Sequence, residues 1–121
     1  FHGILDLNKT KNYDVLSSYD ILLLPSYFDG EGFPGVFIDA FISGLPVITS
    51  DWNLNSEVVE NGITGLLIKP KSSSELTKAM ISFLNGDLEI KKMSINCQKS
   101  CLKYKIDNVL DDELLKQIKL F

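Results

Sequence analysis

A run of four apolar residues without polar alternation, Ile21–Leu24, constrains the fold of this chain most strongly. The run is bounded by Asp20 and Pro25. Strands that are buried on both faces of a parallel sheet have such continuous apolar runs, because helices cover the sheet on either side. Compact apolar runs at Pro46–Ser50 and Leu66–Ile68 repeat the pattern. The sequence therefore predicts an α/β domain with a mostly parallel sheet.

Helical patterns separate these predicted strands. They cover Tyr13–Tyr19, Pro34–Ser43, Glu57–Val59 and Ser74–Leu84, and Phe1–Leu5 is predicted as a further short strand. Either Ser56 or Asn55 is expected to cap the short third helix. The apolar positions of the fourth helix predict an inner face made of Leu76, Met80, Ile81 and Leu84.

Two acidic residues flank the predicted start of the helix Pro34–Ser43. Glu31 lies in the loop Tyr27–Gly32 after the first strand, and Asp39 lies about one turn inside the helix. Open α/β sheets bind ligands at the carboxyl ends of their strands, so both acids are expected to face one pocket. Unpaired N–H groups in the first helical turn favour anions such as phosphate. The spacing is equally compatible with a solvated Glu31 and with an Asp39 that merely favours the helix dipole.

The order of these pieces is similar to that in one family of enzymes. The pieces are LLLPSYFDGEGFPGVFIDAFISGLPVITS and, after it, SEVVENGITGLLIKP. They resemble the C-terminal, donor-binding half of the retaining, nucleotide-sugar-dependent glycosyltransferases of the GT-B fold, in particular the group 1 family. The resemblance covers about residues 1–84. It implies a Rossmann-like, three-layer α/β/α fold with a mostly parallel sheet, truncated at its N-terminal side. Residues 1–121 would form a single partial nucleotide-sugar-binding domain, in which residues 86–121 are C-terminal helices.

The resemblance also implies roles for individual residues. The family has two glutamates separated by seven residues; Glu31 and Asp39 keep this spacing, but the second acid is one methylene shorter. Glu31, the candidate catalytic residue, would contact hydroxyls of the transferred sugar, and Asp39 would accept a hydrogen bond from the ribose. Glu57 would orient the donor. The other implied donor-binding positions are Ser26, whose alternative role is that of a turn hydroxyl, and the backbone of Gly32, Phe33, Pro34 and Gly35.

The family's domain begins with parts that have no match in this sequence. They are a strand, an arginine and a lysine that neutralise the diphosphate, a helix and a second strand, all before the segment that matches Phe1–Leu5. By this resemblance, the strand Ile21–Leu24 is expected to have an exposed edge, which favours a homo-oligomer or a shift of the first segment. The missing N-terminal domain would bind the acceptor, so the chain alone is expected to have no transferase activity.

Charge and cysteine content exclude several other classes of function. The net charge is −4 and all 12 basic residues are lysines, which disfavours a nucleic-acid-binding protein. Cys97 and Cys101 are one helical turn apart, but His2 is the one histidine, so a zinc site cannot be assembled from one chain. Two reduced cysteines on one helix face are the preferred interpretation.

The predicted molecule is an enzyme fragment without a resident cofactor or metal, which binds a UDP- or GDP-linked sugar as substrate. We expect a cytoplasmic location, with peripheral membrane contact in the full enzyme. Two other classes stay open at this point. One is a noncatalytic, Rossmann-like nucleotide- or partner-binding module, and the other is a sugar-nucleotide epimerase of the GT-B fold.

Overall fold

The computed structural model describes Asp6, residues 11–30 and residues 32–104. The predicted strand Phe1–Leu5, the candidate acid Glu31 and residues 105–121 lie outside this part of the chain. The elements, in chain order, are α1 (Lys11–Ser17), β1 (Leu22–Leu24), α2 (Gly35–Ile42), β2 (Val47–Ser50), α3 (Asn55–Val58), β3 (Gly65–Ile68), α4 (Ser73–Leu84) and α5 (Ile90–Cys101), followed by a 3₁₀ turn at Leu102–Tyr104.

The three strands form one parallel sheet in the order β1–β2–β3. Leu22 lies opposite Val47, and Val47 lies opposite Gly65. A Cβ atom at Gly65 would collide with the carbonyl oxygen of Val47 and crowd the side chain of Val59. This position therefore requires glycine for a close approach of two backbones. The predicted parallel sheet is confirmed.

Helices cover both faces of the sheet. Successive residues of β2 point to opposite faces, so they pack against different helices. Val47 belongs to a core cluster with residues of α2, α3 and α5 and of the segments that follow α2 and α3, namely Phe37, Ala40, Phe41, Leu45, Val58, Val59 and Cys97. Ile48 belongs to a second cluster, formed mainly with α4, that contains Ile68, Ala79, Phe83 and Met93. The expected three-layer, Rossmann-like α/β/α arrangement is confirmed.

The connection through α2 ends where the sequence predicts. Gly44 adopts a left-handed conformation with φ of 71°, which a residue with a side chain rarely adopts. Its N–H donates to the Phe41 carbonyl, and the N–H of Leu45 donates to the Ala40 carbonyl. These bonds satisfy the last carbonyls of the helix and send the chain into Pro46 and β2.

The predicted inner face of α4 is mostly wrong. Ala79 and Phe83 are the buried residues of this helix, and Leu76 packs beside them. Met80, Ile81 and Leu84 are exposed. The stripe Leu76–Ala79–Phe83 has the i, i+3, i+7 spacing of one helix face and is rotated from the predicted face, and the small Ala79 lets the helix approach the sheet closely.

Two helix starts also differ from the predictions. The helix α4 begins at Ser73, because the hydroxyl of Ser72 accepts a hydrogen bond from the Glu75 N–H. The predicted capping of α3 by Ser56 or Asn55 is wrong, since Leu54 occupies the cap position and no side chain caps this helix. Asn55 is instead buried and bonds to β2.

Candidate functional site

The loops that follow the three strands lie at one end of the sheet, which we call the carboxyl edge (residues 25–34, 51–54 and 69–72, without Glu31). Two of these loops are joined directly, because the indole Nε1 of Trp52 donates a hydrogen bond of 3.3 Å to the Phe28 carbonyl. A depression of about 250 Å³ opens between Tyr27, Lys71 and neighbouring residues. The ammonium of Lys71 lies 5.3 Å from the centre of the Tyr27 ring. The carboxyl edge is thus a continuous, open surface.

The helix α2 begins at the carboxyl edge without a side-chain cap. Pro34 occupies its cap position with φ of −80°, and its side chain cannot accept a hydrogen bond. The Gly35 N–H donates to the Phe33 carbonyl at 3.0 Å, and the Phe37 N–H donates to the Pro34 carbonyl at 2.9 Å. A Cβ atom at Gly35 would meet nothing within 4 Å, and the same is true of Gly32. Neither glycine has a positive φ. The fold itself therefore does not require glycine at these two positions, which leaves room for a ligand against the backbone.

Asp39 lies in the second turn of α2 and is held by a tyrosine from another helix. The hydroxyl of Tyr13, on α1, donates a hydrogen bond of 2.8 Å to Asp39 Oδ1. Both side chains are half-buried. The hydrogen bond to the carboxylate, together with burial and the nearby negative charge, raises the pKa of Tyr13 above its usual 10.0. Tyr13 therefore remains a hydrogen-bond donor at neutral pH.

The other predicted site residues occupy different parts of the carboxyl edge. Ser26 is half-buried just after β1, and it borders a depression of about 530 Å³ with Tyr27 and Lys71. Phe33 is exposed before α2, with its ring centre 5.7 Å from that of Tyr104. Glu57 is exposed on α3, the helix that follows β2. The fold thus brings the loop after β1 and the start of α2 to one edge, while Glu31 lies outside the described residues.

The sequence analysis did not predict a buried series of hydrogen bonds beneath this edge. The amide of Asn55 donates to the Thr49 hydroxyl and to the Ser50 carbonyl, each at 3.0 Å. The Thr49 hydroxyl in turn donates to the Leu24 carbonyl at 2.8 Å. This chain ties the ends of β1 and β2 to α3. The signal available in the sequence was an asparagine shortly after a strand, which equally fits a helix cap.

The role of Tyr13 was also missed, because 26 positions separate it from Asp39. A tyrosine in a short amphipathic helix has no local sequence signal that identifies its partner. In contrast, the position of Asp39 near the start of a helix at the carboxyl edge follows from local patterns, and the structure agrees with it.

Comparison with known proteins identifies the family. The sequence profile of the family described as "Glycosyl transferases group 1" matches residues 2–100. The chain belongs to this family. A galactosyltransferase of Escherichia coli, UDP-Gal:alpha-D-GlcNAc-diphosphoundecaprenol alpha-1,3-galactosyltransferase, is 32% identical over 85 residues, which is 70% of this chain and 21% of that protein.

A second relative of this group 1 glycosyltransferase chain comes from Campylobacter jejuni. It is N,N'-diacetylbacillosaminyl-diphospho-undecaprenol alpha-1,3-N-acetylgalactosaminyltransferase, and it is 28% identical over 103 residues, or 85% of this chain and 27% of that protein. The chain thus spans about a quarter or less of the length of these two curated relatives.

Solved structures of glycosyltransferases with the GT-B fold share the Rossmann-like fold of this group 1 domain. The HepE protein of Anabaena in complex with UDP-glucose matches 91% of this chain and 30% of its own, with a TM-score of 0.73 at 20% identity. The C-terminal domain of a group 1 glycosyl transferase from Francisella tularensis matches 88% of this chain and 53% of its own, with a TM-score of 0.64 at 26% identity.

Within residues 11–30 and 32–104, no helix combines sufficient length with sufficient apolar character to cross a bilayer.

Proposed function

We propose that this chain is the donor-binding part of a retaining glycosyltransferase, which transfers a hexosyl group from a nucleoside-diphosphate sugar to a glycan or other acceptor. One observation carries the proposal: α2 begins without a side-chain cap at the carboxyl edge, beside the open space at Gly35. The Gly35 and Phe37 N–H groups already donate to the Phe33 and Pro34 carbonyls, so a diphosphate would be favoured here chiefly by the positive end of the helix dipole. The names of similar proteins support a nucleotide-sugar donor, since the E. coli relative is named for UDP-Gal and HepE was crystallised with UDP-glucose.

In the proposed mechanism, the chain holds the donor while the bond from the anomeric carbon to the diphosphate breaks. An acceptor hydroxyl oxygen bonds to that carbon on the same face, and its proton passes to the leaving diphosphate. Negative charge develops on the leaving diphosphate, and the positive end of the α2 dipole stabilises it. Glu31 positions the transferred sugar, and Asp39 accepts a hydrogen bond from the ribose. The basic side chains and the acceptor-binding domain that complete the family's site would come from sequence outside this chain.

Isothermal titration of the intact protein with UDP- and GDP-sugars, together with a turnover assay, tests the proposed roles of Glu31 and Asp39. We expect Glu31→Ala and Asp39→Ala to weaken donor binding or lower turnover about tenfold or more, because each removes a charged hydrogen-bond partner. Asp87→Ala, which removes an exposed acid beyond α4, is the matched control. Donor affinity and turnover that stay unchanged in both acid variants would contradict the proposed site.

The variant Gly35→Ala separates ligand binding from folding. Its added methyl group meets open space in the protein, so the thermal midpoint of unfolding is expected to stay within about 2 °C of the parent. The same methyl group would obstruct a diphosphate, so donor affinity is expected to fall about tenfold or more. Full donor affinity in this variant would argue that the ligand does not approach the start of α2.

Product analysis distinguishes the proposed transferase from the other classes. A retaining transferase forms a product whose anomeric configuration equals that of the donor, which nuclear magnetic resonance detects. An epimerase converts the donor without any acceptor, and a noncatalytic module binds the donor without product. We further propose that catalysis is independent of metal, so that turnover persists in EDTA, and that the 121-residue chain alone is inactive.

We also propose a cytoplasmic enzyme that contacts the membrane peripherally. The relatives from C. jejuni and E. coli are both named for diphospho-undecaprenol compounds, which supports a lipid-linked acceptor. Cell fractionation tests this: the intact protein is expected to sediment with the membranes, and a high-salt wash is expected to release it from them. Recovery in a secreted fraction would contradict the proposed location.

A further inference from the structure

The bond between Tyr13 and Asp39 is the contact from which the next inference starts. It joins α1 to α2 across half-buried side chains, with the phenol hydroxyl as donor and Asp39 Oδ1 as acceptor at 2.8 Å. An ionised carboxylate has two oxygens and about four acceptor positions, of which one tyrosine hydroxyl uses a single one. The carboxylate can therefore accept from Tyr13 and from a second donor at the same time.

The helix α1 is well placed to fix the direction of this carboxylate. With seven residues it is too short to be stable as an isolated helix, so its stability depends on packing against the rest of the protein. Leu16 packs it against the core cluster that contains Phe37, and the Asn12 amide donates to the Asp6 carbonyl at 2.7 Å. Tyr13 extends from this anchored helix on a ring with few rotatable bonds, so its hydroxyl is a defined point to which Asp39 is attached.

The short side chain of Asp39 makes such an attachment consequential. An aspartate reaches less far than a glutamate, and a hydrogen bond to Oδ1 restricts the rotation that would carry Oδ2 away from a ligand. A polar group that orients a ligand-binding side chain can affect affinity without touching the ligand.

We propose that Tyr13 is a positioning residue for the donor's ribose: its bond to Oδ1 holds the Asp39 carboxylate in the orientation in which Oδ2 accepts a hydrogen bond from a ribose hydroxyl. This inference rests on the proposed function, since it requires a nucleotide at the carboxyl edge. The alternative arrangement is competition, in which the ribose must displace Tyr13 from Asp39.

Titration of the intact protein with UDP and with its 2′,3′-dideoxy analogue tests the inference, and the corresponding GDP pair serves if the protein prefers guanine. We expect Tyr13→Phe to weaken UDP binding about 3- to 10-fold, which is the worth of one net hydrogen bond. We expect the same variant to bind the dideoxy analogue as the parent does, because that analogue has no ribose hydroxyl for Asp39. Ser18→Ala, which removes an exposed hydroxyl just after α1 that donates to the Val15 carbonyl, is the control.

A double variant checks that Tyr13 acts through Asp39. If it does, adding Tyr13→Phe to Asp39→Ala leaves the affinity for UDP at the value of Asp39→Ala alone. Equal losses for UDP and the dideoxy analogue would overturn the inference in favour of a structural role, and tighter UDP binding by Tyr13→Phe would overturn it in favour of competition. If the parent protein binds UDP and Tyr13→Phe binds UDP with the same affinity, this inference alone is overturned. Parent protein that binds neither UDP nor GDP overturns the proposed function and the inference with it.

Discussion

Asn55 is the residue on which the geometry of the carboxyl edge depends most directly. It is 2% exposed, and its amide group bonds to the end of β2 at both Thr49 and Ser50. Thr49 passes the connection to the Leu24 carbonyl at the end of β1. A buried hydrogen-bond chain of this kind is stabilising only while every member has its partner. The loop after β1, which carries Ser26, is therefore supported by a side chain from α3.

We predict that Asn55→Ala lowers the free energy of unfolding by about 2–3 kcal/mol, because the Ser50 carbonyl loses its buried donor and a small void remains. Urea denaturation measures this difference. Asn85→Ala, at an exposed helix end, is the matched control and is expected to change the free energy by less than about 0.5 kcal/mol. Equal losses in the two variants would refute a supporting role for the buried chain.

The two cysteines should differ in reactivity although they lie four positions apart on α5. Cys97 is fully buried and donates to the Thr64 carbonyl at 3.3 Å, whereas Cys101 is half-buried. Burial and the neighbouring Cys101 raise the pKa of Cys97 from 9.0 to about 12. At neutral pH we therefore expect iodoacetamide to modify Cys101 and to spare Cys97 until the protein is unfolded, as mass spectrometry would detect.

The same shift has a consequence for stability in alkali. The pKa of Cys97 is higher in the folded protein than in the unfolded chain, so the folded state retains a proton that the unfolded state releases. This contribution to stability is complete below pH 9 and is lost as the pH rises toward about 12. Cys97→Ala is expected to flatten this part of the stability profile, and a profile with the parent's slope would contradict the assignment.

At the scale of elements, the sequence predicts what local patterns determine. The run Ile21–Leu24 and the stretch between Pro34 and Gly44 yield a strand and a helix close to those observed, because proline, glycine and apolar spacing act locally. The inner face of α4 could not be predicted in the same way. Leu76 fits either stripe, and only the distance between helix and sheet selects Ala79 and Phe83. The Tyr13–Asp39 contact could not be predicted for the same reason, since it depends on how two helices pack.

The start of α4 offers a measurable example of a local determinant. The Ser72 hydroxyl accepts from the Glu75 N–H at 3.3 Å, while a carboxylate oxygen of Glu75 accepts from the Lys69 N–H at 2.7 Å. Ser72→Ala is predicted to cost about 1 kcal/mol of unfolding free energy through loss of the cap. Ser73→Ala, in the first turn itself, should cost less than about 0.5 kcal/mol by the same urea titration. A larger loss from Ser73→Ala would place the cap elsewhere.

At the scale of the whole molecule, exposed apolar side chains bear on whether the chain associates with itself. Within the part of the chain that the structure describes, β1 pairs with β2 alone. Leu23 of this edge strand is 40% exposed on the face that carries Ile48, and Leu84 of α4 is 83% exposed. Exposed apolar side chains of this kind favour association between chains.

We therefore predict that the 121-residue chain, produced alone, self-associates with increasing concentration. Sedimentation velocity would detect this as a rising average mass. The variant Leu84→Glu is expected to weaken the association about tenfold or more by placing a charge on the apolar surface. Lys78→Gln, an exposed substitution on the same helix that also lowers the net charge by one, controls for net charge. A monomer at all concentrations, or equal effects of the two variants, would refute association through this surface.

The parallel pairing of β1, β2 and β3 also favours one order of folding. Parallel neighbours cannot form from a tight hairpin, so each pairing waits for a crossover to close. The connection from Ser50 to Gly65 is shorter than that from Leu24 to Val47, so β2 and β3 lose less entropy when they meet. We therefore predict that the contact of Gly65 with Val47 belongs to the folding nucleus and that β1 and α1 join afterwards. Changes at Gly65 should slow folding, and changes at Tyr13 should chiefly hasten unfolding.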